Sequence, residues 1–338
     1  MKGKFQHFLG IDVSKLKFDV CAITNPDHAV VHQEVFDQTR GGFKLFDRWI
    51  RKITGSQNLP EILICVENTG AYGDAVLNFL YEKGYSVCLE NAMLIKSSIR
   101  DKRAKNDKLD ARNIALYALE HARELVLWQK PREVIETLKV LLTARTFLVN
   151  TLKAMTVRQN ELDFCSQGAK MPKPYMAGIK GLKKDIKQAD DDIQKLICGD
   201  KDLLTMFTLL VTIPSIGKVT AAHFICYTNE FKKVASGKQG SSYCGVVPFG
   251  ESSGTSVRKK PRVRPQANKI LKTLLHLCAI TAIKMKGEFN FYYQRKKAEG
   301  KNGMVILNAI RNKLVLRMFA VAKTGKPYDQ NYIYKKIA

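Results

Sequence analysis

Hydrophobic and polar positions alternate along His7–Val13, Phe18–Thr24 and Ala29–Phe36, with Asn25-Pro26-Asp27 as turn-formers before the last stretch. A period of two, rich in β-branched residues, predicts strands, and three in succession predict an antiparallel meander. After Thr39-Arg40-Gly41-Gly42 the apolar residues Phe43, Phe46, Trp49 and Ile50 fall on one helical face, the stripe of a helix laid on a sheet. Ile62-Leu63-Ile64-Cys65-Val66 is a continuous apolar run, as a central strand covered on both faces requires. A second helix through Tyr72, Val76, Phe79 and Leu80 stops at Gly84, a residue suited to the left-handed end of a helix. Tyr85–Leu89 is a fifth strand, and the chain from about Ala92 to Leu119 is largely helical. The order β-β-β-α-β-α-β-α defines an α/β domain over residues 1–130.

Beyond it the period changes. Val134, Leu138, Leu141, Arg145, Leu148, Leu152 and Met155 step alternately by four and three, the heptad rhythm of a coiled-coil seam. Ser166–Pro174 interrupts the rhythm, and Ile179, Leu182, Ile186, Ala189, Ile193 and Leu196 resume it. Residues 131–202 therefore read as two antiparallel helical arms, whose seam can pair within one chain or between chains. Residues 203–338 are mainly helical, over Leu203–Thr212, Lys218–Thr228, Asn268–Met285 and Met304–Lys323, with a Gly/Ser-rich irregular stretch between Ser236 and Arg264. Thr212-Ile213-Pro214-Ser215-Ile216-Gly217-Lys218 has the form of a helix-hairpin-helix turn, which offers backbone N–H groups to a phosphate, or of an ordinary turn between helices.

Composition narrows the class of protein. The 338 residues suit two or three domains. No apolar run reaches the roughly 18 residues of a membrane span, and Met1-Lys2-Gly3-Lys4 leads too soon into Asp12 for a signal peptide; the reading is a cytoplasmic protein with no membrane partner. Cys21, Cys65, Cys88, Cys165, Cys198, Cys226, Cys244 and Cys278 are scattered without a Cys-x-x-Cys pair and read as buried, reduced thiols. Charge says more. The chain carries 56 Lys+Arg against 31 Asp+Glu, net +25, and residues 231–338 alone hold 23 against 4, net +19. Such an excess repels itself unless a polyanion covers it, so the last third of the chain is the part that faces nucleic acid.

Two groups of residues could carry chemistry. Asp12 lies inside the first strand, Glu67 directly follows the fourth, and Asp107 and Asp110 sit three apart on the helix after the fifth. For Asp107 and Asp110 alone, an acidic first turn favoured by the helix dipole is the commoner explanation. The four together have the arrangement of an RNase-H-like domain, in which carboxylates hold two divalent ions roughly 4 Å apart for phosphoryl transfer. Hard oxygen donors without His or Cys indicate Mg²⁺ or Mn²⁺. The second group is Gly250-Glu251-Ser252-Ser253-Gly254-Thr255-Ser256-Val257-Arg258, followed by Lys259, Lys260, Arg262 and Arg264. A serine beside glycine, ringed by cations, suits a nucleophile that attacks a DNA phosphate; a basic loop that only binds phosphate is the commoner use of such a segment. Lys15, Arg103 and Lys105 join Arg258, Lys259, Lys260, Arg262 and Arg264 as candidate nucleic-acid contacts.

Five motifs in order, Gly10-Ile11-Asp12, Glu67-x-Thr69-Gly70-x-Tyr72, Asp107-x-x-Asp110-Ala111-Arg112, Ile213-Pro214-x-Ile216-Gly217 and Ser253-Gly254-x-Ser256-Val257-Arg258, resemble a known family over nearly the whole chain. It is the insertion-sequence transposases and Piv-like DNA invertases, also described as bridge-RNA-guided recombinases. The resemblance implies a RuvC-like DEDD domain at 1–130, coiled-coil arms at 131–202 and a basic transposase domain at 203–338. It implies Asp12, Glu67, Asp107 and Asp110 as a metal-binding tetrad and Ser253 as a nucleophile that becomes a 5′-phosphoserine. It also implies donor and target DNA, a guide RNA that pairs with both, and a homo-oligomer, dimer or tetramer, in which one protomer's DEDD domain completes a site with another's serine domain. Ser215 departs from the glycine usual in that family's turn, and Ser252 is a neighbouring alternative to Ser253. Three other readings remain open at this point: a hydrolytic RuvC-like nuclease, a non-catalytic nucleic-acid scaffold, and an actin-like or sugar-kinase ATPase. The last would need a second Asp/Gly phosphate loop about 150 residues after Gly10-Ile11-Asp12-x-Ser14, where the chain carries heptads instead.

Overall fold

The computed structural model describes residues 5–25, 30–55, 58–68, 70–98, 107–165, 172–234, 236–253, 257–263 and 267–329. The chain divides into two compact units, Met1–Lys130 and Pro131–Ala338.

In the first unit β1 (His7–Val13), β2 (Lys17–Asn25) and β3 (Val30–Asp37) lead into α1 (Arg40–Thr54), then β4 (Ile62–Glu67), α2 (Asp74–Lys83), β5 (Ser86–Glu90), α3 (Ala92–Ser98) and α4 (Asp107–His121). The five strands form one mixed sheet in the order β3-β2-β1-β4-β5. β1, β2 and β3 are the antiparallel meander, and β4 and β5 run parallel to β1. The elements follow one another in the β-β-β-α-β-α-β-α order that the sequence predicts.

Period-two alternation sends side chains to two cores, one on each face of the sheet. Leu9, Ile11, Val13, Phe18, Val20, Ile64 and Val66 pack with Phe43, Phe46 and Ile50 of α1 and Val76, Leu77 and Leu80 of α2. Phe8, Cys21, Leu63, Cys65 and Cys88 face the other way, onto Ala111, Ile114, Ala115 and Ala118 of α4. Thr39 caps α1 by accepting from the Gly42 backbone N–H, and Gly84 closes α2 at φ +86°. Tyr72, assigned from the sequence to the apolar face of the second helix, is 51% exposed in a short turn before α2.

The second unit begins with two long helices, α5 (Glu133–Cys165) and α6 (Lys173–Gly199). α5 is continuous where an ATPase would have needed a phosphate loop. Contacts between the two run antiparallel: Arg145 pairs with Asp190, and the Tyr175 hydroxyl donates to the Met155 carbonyl. The arms are not separate at their base, because Ile135, Leu138, Leu142, Ile193 and Ile197 share one core with the helices that follow. Those are α7 (Lys201–Val211), α8 (Lys218–Tyr227) and α9 (Gly237–Tyr243), then the two-stranded hairpin β6 (Pro248–Ser253) and β7 (Val257–Val263), and α10 (Lys269–Lys284), α11 (Glu288–Ala298) and α12 (Gly303–Thr324).

The stretch read from sequence as irregular is therefore a helix and a hairpin. α9 forms despite the poor helix propensity of Gly-Lys-Gln-Gly-Ser-Ser-Tyr because Ser236 caps it and Gly240 lies against the Phe319 ring, which a Cβ would meet at 2.3 Å. α11 was absent from the sequence reading too. It buries only Phe289, so it has no apolar stripe to detect. Between α7 and α8, Pro214 and Ser215 occupy the middle of a tight turn closed by Ile216 N–H to the Ile213 carbonyl at 3.0 Å, and Ser215 stands at φ +70°. That position of a type II turn favours glycine.

Candidate active site

The site grows from one glycine. Gly10 lies in β1 so close to α4 that a Cβ there would stand 2.2 Å from the Ala115 nitrogen and 2.3 Å from the Ala111 carbonyl oxygen. The bare backbone lets α4 rest on the strand, with Ala111, Ala115 and Ala118 as its small-residue face. Asp12, two residues on and thus on the same side of the sheet, lies at the end of β1 and is half-buried.

Because Ile11 pairs with Val66 in parallel register, the next positions, Asp12 and Glu67, are neighbours on adjacent strands. The ends of parallel strands are where open α/β sheets place their sites. Glu67 is half-buried, and burial raises its carboxyl above the ordinary carboxylate range; Lys96 on α3 opposes that rise and the Asp110 carboxylate adds to it. Glu67 thus feels the Asp110 charge, and a carboxylate held in that condition is relieved by a cation. Asp107 opens α4, but its side chain lies outside the described residues.

The sequence reading missed two further carboxylates in this row. Asp19 pairs opposite Asp12 on β2, and Glu90 pairs beside Glu67 on β5. Asp19 is buried at 5% exposure with the Lys17 ammonium 3.5 Å away. Glu90 falls on the α4 side of the sheet, since Cys88, two residues before it on β5, packs with Ala111 and Ile114 of α4. Strand register was the missing signal: once Asp12 is set on the α4 face, pairing puts Asp19 and Glu90 on the same face. The donors are oxygens that suit a hard divalent cation. Among the described residues no three His, Cys, Asp or Glu side chains already close into a metal cage.

Of the candidate nucleic-acid contacts, Lys15 is exposed in the turn directly after β1, at the same end of the strand as Asp12. Arg103, Lys105 and Arg264 lie outside the described residues, and so do the side chains of Ser253, Arg258, Lys259, Lys260 and Arg262. The backbone of the hairpin sets Ser253 opposite Val257 and Ser252 opposite Arg258. Of the cysteines, Cys21, Cys65, Cys88, Cys226, Cys244 and Cys278 are buried and unbridged; Cys198 is exposed, contrary to the sequence reading, and the Cys165 side chain is not described.

Asp12 and Glu67 thus stand at neighbouring strand ends of a mixed sheet, on the face that α4 covers. Residues 9–162 match the DEDD_Tnp_IS110 transposase family, and residues 207–294 match the transposase IS116/IS110/IS902 family. The two matches, in that order, place the chain among the IS110/IS116-family transposases. It is similar to the pilin gene-inverting proteins of Moraxella lacunata, at 28% identity over 96% of this chain and 98% of that protein, and of Moraxella bovis, at 27% over the same shares. It is also similar to a putative transposase of Sinorhizobium fredii, y4qE, at 23% identity over 94% of this chain and 89% of the relative. Among solved structures, Thermus thermophilus RuvC in complex with a Holliday junction matches 35% of this chain and 95% of its own, at 16% identity and a TM-score of 0.26, too slight a likeness to argue from.

Proposed function

We propose that the protein is a DNA recombinase that cuts and rejoins strands by transesterification, with Ser253 as nucleophile and Asp12, Glu67, Asp107 and Asp110 as the ligands of Mg²⁺ or Mn²⁺. The observation that carries this reading is the placement of Asp12 and Glu67 at neighbouring strand ends, with Asp110 close enough to Glu67 for their charges to interact. A divalent ion bound there would neutralise charge on the phosphate and on the oxygens that attack and leave. The Ser253 Oγ forms a bond to phosphorus and loses its proton as the P–O3′ bond breaks, leaving a 5′-phosphoserine and a free 3′-hydroxyl. A 3′-hydroxyl of the partner strand then attacks phosphorus, regenerates serine and takes the 5′-phosphate. Bond energy is conserved throughout, so no nucleotide triphosphate is consumed. The net +19 of residues 231–338 and the basic run on β7 supply the counter-charge for DNA.

Donor and target DNA, a guide RNA pairing with both, and a homo-oligomer belong to the same reading. If pairing selects the sites, the side chains need read no bases. A hydrolytic RuvC-like nuclease is the second reading, favoured by the fact that the carboxylate row alone can serve water as nucleophile. Substituting Asp12→Asn, Glu67→Gln and Asp110→Asn one at a time tests the shared metal claim. Each should abolish strand cleavage in Mg²⁺ while leaving DNA binding in EDTA unchanged; cleavage at the wild-type rate in any of them contradicts the assignment of that ligand.

A further inference from the structure

Arg311 on α12 is 7% exposed, and among the described residues no carboxylate meets it. Its hydrogen-bond partner is Nδ1 of His276 on α10, 2.9 Å from Nη2, and its Nε has none. The contrast within the same unit is sharp. Arg132 meets Asp200 and Glu230, Arg145 meets Asp190, and Arg317 meets Glu288. A buried guanidinium without a counter-ion is unfavourable, and the net +19 of residues 231–338 makes it more so.

The histidine is no counter-ion. Burial and the Arg311 charge both lower its pKa, so it stays neutral, and because the guanidinium can only donate, Nδ1 must accept and Nε2 carries the proton. His276 therefore fixes one N–H of a group that has five and leaves the charge uncompensated. One turn before Arg311, the Asn308 amide donates to the carbonyl of Val246, two residues before β6. α12 is thus tied to the chain that enters the serine hairpin.

We infer that Arg311, held by His276, is an anion site for a phosphate group, and that in the working protein this phosphate belongs to the nucleic-acid backbone. The inference rests on the reading that this unit handles DNA, but anion binding itself can be measured without DNA. Guanidinium suits the ligand because it offers parallel N–H donors to phosphate oxygens. The missing negative charge is then brought by the substrate, and the bound state is the one in which Arg311 is satisfied.

The test uses the full chain, inorganic phosphate, a DNA duplex, and two variants, Arg311→Met and Arg311→Gln. Arg311→Gln keeps a donor for His276 and removes only the charge. Inorganic phosphate should raise the melting temperature of the wild type, and neither variant should respond. With duplex, both should bind about tenfold more weakly at low salt, and the slope of log affinity against log salt should fall by about one, the mark of one lost phosphate contact. Without ligand, Arg311→Met should be no less stable than wild type, since it removes an uncompensated charge. Equal phosphate response in wild type and Arg311→Gln overturns the site. A phosphate response lost in Arg311→Gln with an unchanged salt slope overturns the nucleic-acid assignment and leaves a site for free phosphate. If Arg311→Met fails to fold, Arg311→Gln alone decides.

Discussion

Gly10→Ala is the smallest change that should separate fold from chemistry. The added Cβ would stand 2.2 Å from the Ala115 nitrogen, 2.3 Å from the Ala111 oxygen and 2.7 Å from the Ile114 carbonyl carbon. All three are backbone atoms of α4, so no side chain can rotate away. Ordinary contact lies near 3.5 Å, and α4 must therefore retreat by about 1 Å. Overpacking of this kind costs about 1–3 kcal/mol, read as a lower urea midpoint with an unchanged slope. Asp110, one residue before Ala111, moves with the helix, away from Glu67. A displacement of about 1 Å among positioned groups can cost about 100-fold in rate, so strand cleavage should fall by that order in protein that remains folded. Cleavage within twofold of wild type, with an unchanged urea midpoint, would refute the claim that contact between α4 and β1 sets the carboxylate geometry.

Ser215→Gly should stabilise the protein by about 0.5–1 kcal/mol in urea, because φ +70° strains a residue with a Cβ. Arg132→Met should cost about 2–3 kcal/mol, reduced from the value for a fully buried pair because the Arg132 side chain is 34% exposed; it leaves Glu230, whose side chain is 6% exposed, with the Lys232 ammonium in place of two cations. The Arg132 hydrogen bond holds Asp200 below its ordinary pKa, and at Glu230 burial pushes up but the bonds from Arg132 and Lys232 outweigh it. Depressed carboxylates stabilise above the ordinary range and lose that contribution as pH falls through the lowered values, so acid unfolding should be shallower in Arg132→Met than in wild type. Thiol labelling of the native protein should reach Cys198 and spare Cys226 and Cys244, which burial pushes up to about 11 and about 12.

The sheet was legible because each strand advertises its surroundings: His7–Val13 alternates between two cores, and Ile62–Val66, packed on both sides, is apolar throughout. Asp12 and Glu67 were legible for the same reason, as acids at positions where the pattern demands an explanation. Asp19 and Glu90 were not, since their place depends on which strands pair, which alternation alone does not state. The base of the helical arms was legible only in part: Leu138 and Ile193 fall on the heptad positions, whereas Ile135, Leu142 and Ile197, buried beside them, do not, because the helices that follow cover a second face of the arms. α9 escaped it because its stability comes from Ser236 and the Phe319 ring rather than from its own residues. Arg311 escaped for a similar reason: nothing in Ile310-Arg311-Asn312 shows that its neighbour across the helix pair is a neutral histidine.

A denaturing gel decides whether Ser253 forms a covalent bond to DNA. Purified protein is incubated with Mg²⁺, candidate guide RNA and end-labelled DNA carrying the element's ends, and wild type is compared with Ser253→Ala and Ser252→Ala. A DNA–protein adduct should form in wild type and Ser252→Ala and be lost in Ser253→Ala. Cleavage without any adduct, undisturbed by either substitution, would contradict covalent chemistry at Ser253 and leave water as the nucleophile.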